Sequence, residues 1–317
     1  MYARAPLRIL DMGSWTDTPF AEHGMTWSCA IRRYAHVRLD DAAPPACTPG
    51  YGALLRAALR EFGLPALGCA ITVDLPAGCG FGVTAAVAVA LVAALARYRG
   101  KTLRPLALAL LAHRLAQEAL GHPCGLEGQL TAARGGAALH AIAPYPRALS
   151  AAPALSPAAL NTLEAHLLVV ATGRPAQPNL PQGLARRLAE GDPRVIAGLW
   201  QLRTLPDLAY AAAARGDVAA LGALLDAHRD AQQRMAPALY APEARHIDAL
   251  ARRHGALGMK HNGTGGSVTL LCPADARRPL AVTLRRAGYP AFPVRLAREG
   301  VTVWAEEIAE CGLQIAD

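Results

Sequence analysis

A run of glycines offers the most direct chemistry in this sequence. Gly78, Gly80 and Gly82 lie between a β-branched segment, residues 69–75, and an apolar segment that begins at Val83. A strand, a glycine loop and a helix in this order place free backbone N–H groups and the positive end of the helix dipole at one point, which binds phosphate. Glycine is needed there because a Cβ would keep the backbone away from the anion. The pattern predicts a phosphate site, with a plain tight turn as the alternative.

The elements that must position this loop follow from the hydrophobic patterning. In the first part of the chain we predict strands joined by a functional loop over 7–39, a helix over 51–62, a strand over 69–75, and helices over 83–98 and 106–120. In the second part we predict a strand over 166–172, helices within 184–254, a second glycine-rich loop over 258–266 and a strand over 267–271. We therefore expect two domains, 1–160 and 161–317.

Two other phosphate motifs are disfavoured. A dinucleotide-binding fingerprint carries an acidic residue about 20 positions after its glycines, but no Asp or Glu occurs between Asp74 and Glu118. Gly100-Lys101-Thr102 looks like the end of a Walker A loop, but Leu95 stands where its first glycine belongs and a predicted helix precedes it. We interpret Lys101 as a surface lysine.

Composition limits the remaining classes of function. The net charge of +8 comes from 32 basic residues, of which only Lys101 and Lys260 are lysines, and it fits an arginine-rich surface as well as an anion site. Aromatic residues make up 5% of the chain, so a stacking platform for nucleic acid is not expected. The longest apolar run, 83–96, is shorter than the roughly 20 residues of a membrane span. The N-terminal residues do not resemble a secretory signal, so we expect a cytoplasmic protein, as a monomer or a homodimer. The seven cysteines are scattered and no His/Cys/Asp/Glu cluster has metal-ligand spacing, so no transition-metal site is expected.

Three motifs in order along the chain resemble those of the GHMP kinases, in particular sugar kinases of the fucokinase and heptose-7-phosphate kinase type. The first is Ala5-Pro-Leu-Arg-Ile-Leu-Asp-Met-Gly-Ser-Trp-Thr-Asp17-Thr-Pro, followed by Glu22-His23-Gly24. The second is Leu75-Pro-Ala-Gly-Cys-Gly-Phe-Gly-Val-Thr84, and the third is Gly258-Met-Lys-His-Asn-Gly-Thr-Gly-Gly266. The resemblance covers nearly the whole chain.

This resemblance implies an α+β, two-domain GHMP kinase fold, with a ribosomal protein S5 domain 2-like N-terminal domain, a ferredoxin-like C-terminal domain, and ATP and substrate in the cleft between them. It implies that Arg8 lies near the transferred phosphate and that Thr84 is a ligand of Mg²⁺. The implied substrate residues are Ser14, Trp15, Asp17, His23 and Gly24. The implied ATP residues are Gly78, Gly80, Phe81, Gly82, Val83, Thr84, Lys260, His261, Gly263, Thr264 and Gly265. A turn residue before Pro19 remains the alternative for Asp17, and a surface ion pair for Arg8.

The acidic residues depart from the pattern of the sugar kinases. When the chain is aligned with them on Gly121, Gly125 and Gln129, Ala116 replaces the usual Mg²⁺-binding Glu and Gly128 replaces the catalytic Asp. Glu118 and Glu127 lie nearby, so we assign Glu118 as the replacement metal ligand and Glu127 as the replacement base.

Two hypotheses on function follow. The first is an ATP-dependent kinase acting on a sugar or a sugar phosphate, with ATP and Mg²⁺ as cofactors. The second is a redirected GHMP fold, either a non-kinase enzyme acting on a phosphorylated sugar or a ligand-binding protein without turnover, and it is favoured by the loss of both carboxylates.

Overall fold

The first sheet is organised around one long strand. The computed structural model describes residues 1–40, 47–75, 78–121, 124–151 and 155–305. The strands of this sheet are β1 (Tyr2–Met12), β2 (Gly24–Asp40), β3 (Gly68–Val73), β4 (Ala137–Ile142), β5 (Ala148–Ala151) and β10 (Thr302–Trp304). Their order is β10-β1-β2-β4-β5, and β3 also pairs with β2. Because β2 is long, its first half pairs with β4 and its second half with β3, all antiparallel.

A buried helix lies next to this sheet. The helices of this part are α1 (Gly52–Phe62), α2 (Val83–Tyr98), α3 (Pro105–Leu120) and α4 (Glu127–Arg134). Residues 85–96 of α2 are all buried, because apolar side chains surround the helix on every face. It contacts β1, β2, α3 and α4. The predicted helix over 83–98 is confirmed, and the start of α2 at Val83 fixes where the glycine loop ends.

The second sheet has its own apolar core. Its strands are β6 (Leu167–Ala171), β7 (Gly258–His261), β8 (Ser267–Leu271) and β9 (Ala291–Pro293), in the order β7-β8-β6-β9. Helices α9 (Pro242–Arg253) and α10 (Arg277–Arg286) cover it. Residues from the sheet and from both helices form this core, among them Leu168, Met259, Ile247 and Leu280. The predicted strand over 267–271 corresponds to β8.

Helices and a returning strand connect the two sheets. The remaining helices are α5 (Pro157–His166), α6 (Leu180–Ala189), α7 (Pro193–Arg215) and α8 (Val218–Met235). Helices α7 and α8 pack on each other, and α7 also contacts β2 while α8 contacts β7. Strand β10 pairs with β1, where Trp304 stacks on Tyr2 with ring centroids 5.9 Å apart. Within the described ranges, no helix has both the length and the apolar character that a membrane span requires.

Candidate active site

A pocket of about 390 Å³ opens where the β1–β2 loop, the start of α2 and the start of α4 meet the second glycine-rich loop. The predicted site residues that line it are Arg8, Ser14, Trp15, Asp17, Gly78, Gly80, Gly82, Val83, Thr84, Glu127, Gly263 and Thr264. Segments far apart in the sequence therefore converge on one cavity, as the three motifs require.

The first glycine loop presents its backbone to this pocket. Gly78, Gly80 and Gly82 have φ values of +80°, +77° and +70°, in the left-handed region that favours glycine. Helix α2 begins directly after Gly82, which has no side chain to cap it, so its first N–H groups are available to an anion. Phe81 instead packs in the core, with its ring centroid 6.1 Å from that of Phe292. Pro76 and Ala77 of this motif lie outside the described residues.

The second glycine loop interlocks with the first. A Cβ on Gly80 would stand 2.4 Å from the carbonyl oxygens of Asn262 and Gly265, so no other residue fits at this crossing. The Ser267 hydroxyl donates to the carbonyl oxygen of Cys79 at 2.5 Å. The two loops thus form one rigid wall, with Gly263 and Thr264 at its open side.

Asp17 holds the start of α4. Its Oδ2 accepts from the backbone N–H of Glu127 at 2.8 Å, and its Oδ1 accepts from the N–H of Trp15 at 3.1 Å. A Cβ on Gly125 would stand 2.4 Å from Asp17 Oδ2, so glycine permits this approach. Burial raises the pKa of Asp17, and the backbone hydrogen bond from Glu127 and the charge of Arg8 oppose that rise. Asp17 therefore fixes the position of Glu127 as well as lining the pocket.

Arg8 and Glu127 form a buried ion pair at the pocket. Arg8 Nε donates to Glu127 Oε2 at 2.8 Å, and Arg8 Nη1 donates to the carbonyl oxygen of Gly80 at 2.7 Å. Asp11 Oδ2 lies 3.7 Å from Arg8 Nη2. Burial raises the pKa of Glu127, against the lowering effect of Arg8. A carboxylate with a raised pKa beside a phosphate site has the chemistry of a general base.

The comparisons with known proteins decide the fold. Residues 51–136 match the family model for the GHMP kinases N terminal domain. The D-glycero-D-manno-heptose 1-phosphate kinase from Bacteriodes thetaiotaomicron has a similar structure, with TM-score 0.76, 16% identity, and coverage of 96% of this chain and 99% of that chain. The chain has the GHMP kinase fold.

Two further structures agree with this assignment. The galactokinase of Lactococcus lactis, solved with galactose, gives TM-score 0.66 at 16% identity over 95% of this chain and 94% of that chain. The mevalonate kinase of Methanococcus jannaschii gives TM-score 0.71 at 13% identity, over 93% of this chain and 98% of that chain. A comparison with curated protein sequences gives no match. The resemblance to the GHMP kinases noted in the sequence is thus confirmed, and so is the predicted α+β fold.

The two residues that replace the carboxylates expected from the resemblance, Ala116 of α3 and Gly128 of α4, both lie at the pocket. A Cβ on Gly128 would stand 2.9 Å from the Cβ of Ala85, so α4 and α2 pack too closely there for a side chain. The structure does not bring Glu118 to the pocket. Its side chain is exposed and pairs with Arg60 on the outer surface.

Several other predicted residues lie outside the pocket lining. His23 is exposed, and Gly24 begins β2 and pairs with Ile142. Lys260 and His261 are buried behind the second loop, where Lys260 Nζ donates to Asp11 Oδ1 and to the carbonyl oxygen of His261, the latter at 2.6 Å. Gly265 supports the crossing with Gly80 without lining the cavity. Lys260, His261 and Gly265 thus support the second glycine loop, whereas His23 and Gly24 lie away from the pocket lining.

Asp11 is the main residue that sequence reasoning missed. It is fully buried at the end of β1, where it accepts from Lys260 and, at 2.8 Å, from the N–H of Gly263. Burial alone would raise its pKa, but Lys260 and Arg8 hold it at about 2. A carboxylate inside the apolar run Leu-Arg-Ile-Leu-Asp-Met was the available signal, because a buried charge needs a partner. Asp11 ties the second glycine loop to the first sheet.

The described residues fit a nucleotide phosphate better than they fit Mg²⁺. The glycine loop and the uncapped start of α2 present backbone N–H groups at the pocket, and Thr84 also lines it. Both carboxylates described in the lining are already bonded, Asp17 to two backbone N–H groups and Glu127 to Arg8. The described lining therefore lacks the free carboxylate that usually helps a protein bind Mg²⁺ with a nucleotide.

Proposed function

We propose that this protein transfers the γ-phosphate of ATP to a hydroxyl group of a sugar or a sugar phosphate. The observation that carries the proposal is the convergence of the glycine loop, the start of α2 and the Arg8–Glu127 pair on one pocket. The family model and the similar structures of sugar kinases support a small-molecule kinase. The proposed division into domains 1–160 and 161–317 places the glycine loop in the first domain.

The proposed roles follow from the geometry. The N–H groups of the glycine loop and of the start of α2 bind the phosphates, and Thr84 and Thr264 lie beside them. Glu127 takes the proton of the acceptor hydroxyl as the hydroxyl oxygen bonds to the γ-phosphorus. The bond between the γ-phosphorus and the bridging oxygen breaks at the same time, and that oxygen leaves with ADP. Arg8, held by Gly80 O and Glu127, places positive charge near the transferred group. Ser14, Trp15 and Asp17 form the substrate side.

Phosphoryl transfer tolerates an altered set of catalytic groups. Its transition state is loose, so positioning and electrostatics contribute most of the catalysis. The GHMP kinase fold implies ATP with Mg²⁺, whose chemistry is to neutralise charge across the phosphates. Because the described lining lacks a free carboxylate for the ion, no step is assigned to protein-bound Mg²⁺.

A second candidate is a redirected GHMP fold that binds or converts a phosphorylated sugar without kinase turnover. The close packing of Gly128 on Ala85 favours it, because this contact leaves no room for the usual catalytic side chain. The same glycine loop then binds the phosphate of the sugar.

One titration separates the two candidates. The purified protein is titrated calorimetrically with a non-hydrolysable ATP analogue, with and without Mg²⁺, and then assayed for phosphate transfer from ATP to sugars and heptose phosphates. Saturable nucleotide binding together with transfer supports the kinase. A protein that binds sugar phosphates but neither binds the analogue nor transfers phosphate supports the redirected fold.

A further inference from the structure

A chain of buried side chains reaches the first glycine loop from the second sheet. The Thr269 hydroxyl donates to Asn262 Oδ1 at 2.7 Å, and Asn262 Nδ2 donates to the Ser267 hydroxyl at 3.0 Å. The Ser267 hydroxyl in turn donates to the carbonyl oxygen of Cys79 at 2.5 Å. The side chains of Thr269, Asn262 and Ser267 are fully buried. The chain therefore connects the middle of β8 to the backbone of the first glycine loop.

The neighbouring ends of β7 and β8 place these side chains. Ser267 and Thr269 are two residues apart on β8, so both side chains lie on the same face of the sheet. Asn262 follows directly after β7, and its backbone N–H donates to the carbonyl oxygen of Ser267 at 3.1 Å. The Gly265 N–H donates to the carbonyl oxygen of Asn262 at 3.0 Å, which closes the turn. Asn262 is thus held where its amide group bridges the two hydroxyl groups of β8.

One acceptor fixes the direction of every hydrogen bond in this chain. A carbonyl oxygen can only accept, so the single hydroxyl proton of Ser267 goes to Cys79. Ser267 can then only accept from Asn262, which must turn its NH₂ group towards the serine. The amide oxygen of Asn262 consequently faces Thr269 and accepts its hydroxyl proton. The donors therefore all point the same way, from Thr269 to Cys79.

The neighbouring carbonyl groups of the first glycine loop are also held from outside the loop. The Gly78 oxygen accepts from the Ala176 N–H at 2.9 Å. The Gly80 oxygen accepts from Arg8 Nη1 at 2.7 Å, and the Phe81 oxygen accepts from the Arg8 N–H at 3.1 Å. Because a trans peptide is planar, its C=O and N–H groups point in opposite directions. A donor that holds one carbonyl therefore also directs the N–H of the next residue.

We propose that Ser267 is a positioning residue for phosphate binding. By holding the carbonyl of Cys79, it turns the N–H of Gly80 towards a bound phosphate. Asn262 and Thr269 keep the Ser267 hydroxyl proton pointed at that carbonyl. Ser267 is fully buried and Gly80 lines the pocket, so an N–H directed away from Ser267 faces the open cavity. This inference rests on the proposed function for the identity of the anion, the phosphates of ATP.

The test is the binding of inorganic tripolyphosphate, measured by calorimetry without Mg²⁺, because this anion needs only the phosphate site. Ser267→Ala is expected to raise the Kd about tenfold, since the misdirected N–H loses a hydrogen bond to a charged group. In NMR spectra, added tripolyphosphate should shift the Gly80 amide proton downfield in the wild type and shift it less in Ser267→Ala. An unchanged Kd in Ser267→Ala, or a Gly80 amide that does not respond in the wild type, would overturn the proposal.

A second variant separates positioning from a general loss of stability. Thr269→Val keeps the shape of the side chain and removes its hydroxyl, so Asn262 can turn its amide oxygen to Ser267. The serine proton is then withdrawn from Cys79, and tripolyphosphate binding should weaken. Thr269→Val should weaken binding no further in the Ser267→Ala background, because its effect reaches the loop only through Ser267. Losses that multiply in the double variant would contradict the chain.

Thr283→Val is the control for the loss of a hydroxyl elsewhere around the second sheet. The Thr283 hydroxyl lies on α10, 3.2 Å from His254 Nε2. This variant should bind tripolyphosphate as the wild type does, and a loss equal to that of Ser267→Ala would overturn a specific role of Ser267. If Ser267→Ala weakens binding but the wild type transfers no phosphate from ATP, the proposed kinase function fails while the positioning role stands. If the wild type is a kinase whose tripolyphosphate binding ignores Ser267→Ala, only the positioning role fails.

Discussion

Glu127 combines burial, a cationic neighbour and a place at the pocket, which is the environment of a tuned base. We expect Glu127→Gln to lower kcat for phosphate transfer by about 10² or more, because loss of a general base typically costs about 10² to 10⁴ in rate. ADP release at saturating ATP and acceptor measures it. Glu118→Gln is the control, since Glu118 pairs with Arg60 outside the pocket. Near-normal turnover of Glu127→Gln would remove Glu127 from the mechanism.

The resemblance to sugar kinases predicts an Asp where this chain has Gly128, yet the packing around Gly128 leaves no space for a side chain. Because a Cβ there would stand 2.9 Å from Ala85 Cβ, Gly128→Asp should destabilise the fold by about 1–3 kcal/mol through overpacking. Thermal unfolding measures the loss. Adding Ala85→Gly removes the opposing methyl group and should restore part of the stability. Equal melting temperatures for Gly128→Asp and the wild type would contradict this account of the packing.

Single residues also show where sequence reasoning succeeded and failed. The spacing of Glu127 to Gly125 and Gln129 predicts that it lies at the active site. The structure agrees, because Glu127 is the first residue of α4 and lines the pocket. Glu118 lies away from the pocket because successive residues on a helix are about 100° apart, which puts it about 200° around α3 from Ala116. A linear spacing of two residues hides this difference.

The crossing of the two glycine loops can be tested as an element. Gly80→Ala would place a Cβ 2.4 Å from two backbone oxygens, so we expect loss of nucleotide-analogue binding and a lower melting temperature. Gly100→Ala is the matched control, since Gly100 also has a positive φ, +69°, but nothing lies within 4 Å of its added Cβ. Both variants place a Cβ on a residue in the left-handed region, which costs about 1–2 kcal/mol in backbone strain. If Gly80→Ala and Gly100→Ala lost nucleotide-analogue binding and thermal stability equally, the loop crossing would contribute to neither.

Local elements were predicted well and distant pairings were not. Helix α2 and strand β8 match the predicted ranges, because their patterns are strong and uninterrupted. The pairing of β10 with β1 has no signal in a strand of three residues, since its partner is about 300 positions away. The first glycine loop was likewise predicted, but its crossing with the second depends on contacts such as Gly80 to Asn262 that only the tertiary fold creates.

At the scale of the whole molecule, buried histidines should control acid stability. Burial is the main cause that lowers the pKa of His113 to about 4, of His140 to about 3, of His261 to about 4, and of His228 well below its usual value. Below about pH 6.5 the unfolded chain therefore binds more protons than the folded protein. Asp11 has a lowered pKa of about 2 in the folded protein, so it stabilises the fold fully above about pH 3.9. This stabilisation is lost only as the pH falls from about 3.9 towards 2.

The free energy of unfolding is therefore expected to fall as the pH falls from about 6.5 to 4, by up to about 1.4 kcal/mol per pH unit for each of these histidines. The raised pKa values of Asp17 and Glu127 oppose this loss in part. Urea unfolding at several pH values between 7.5 and 4.5 measures the slope. His113→Gln should reduce this slope by about one histidine's share. A wild-type stability that is flat down to pH 4.5 would mean that these rings are protonated within the folded protein.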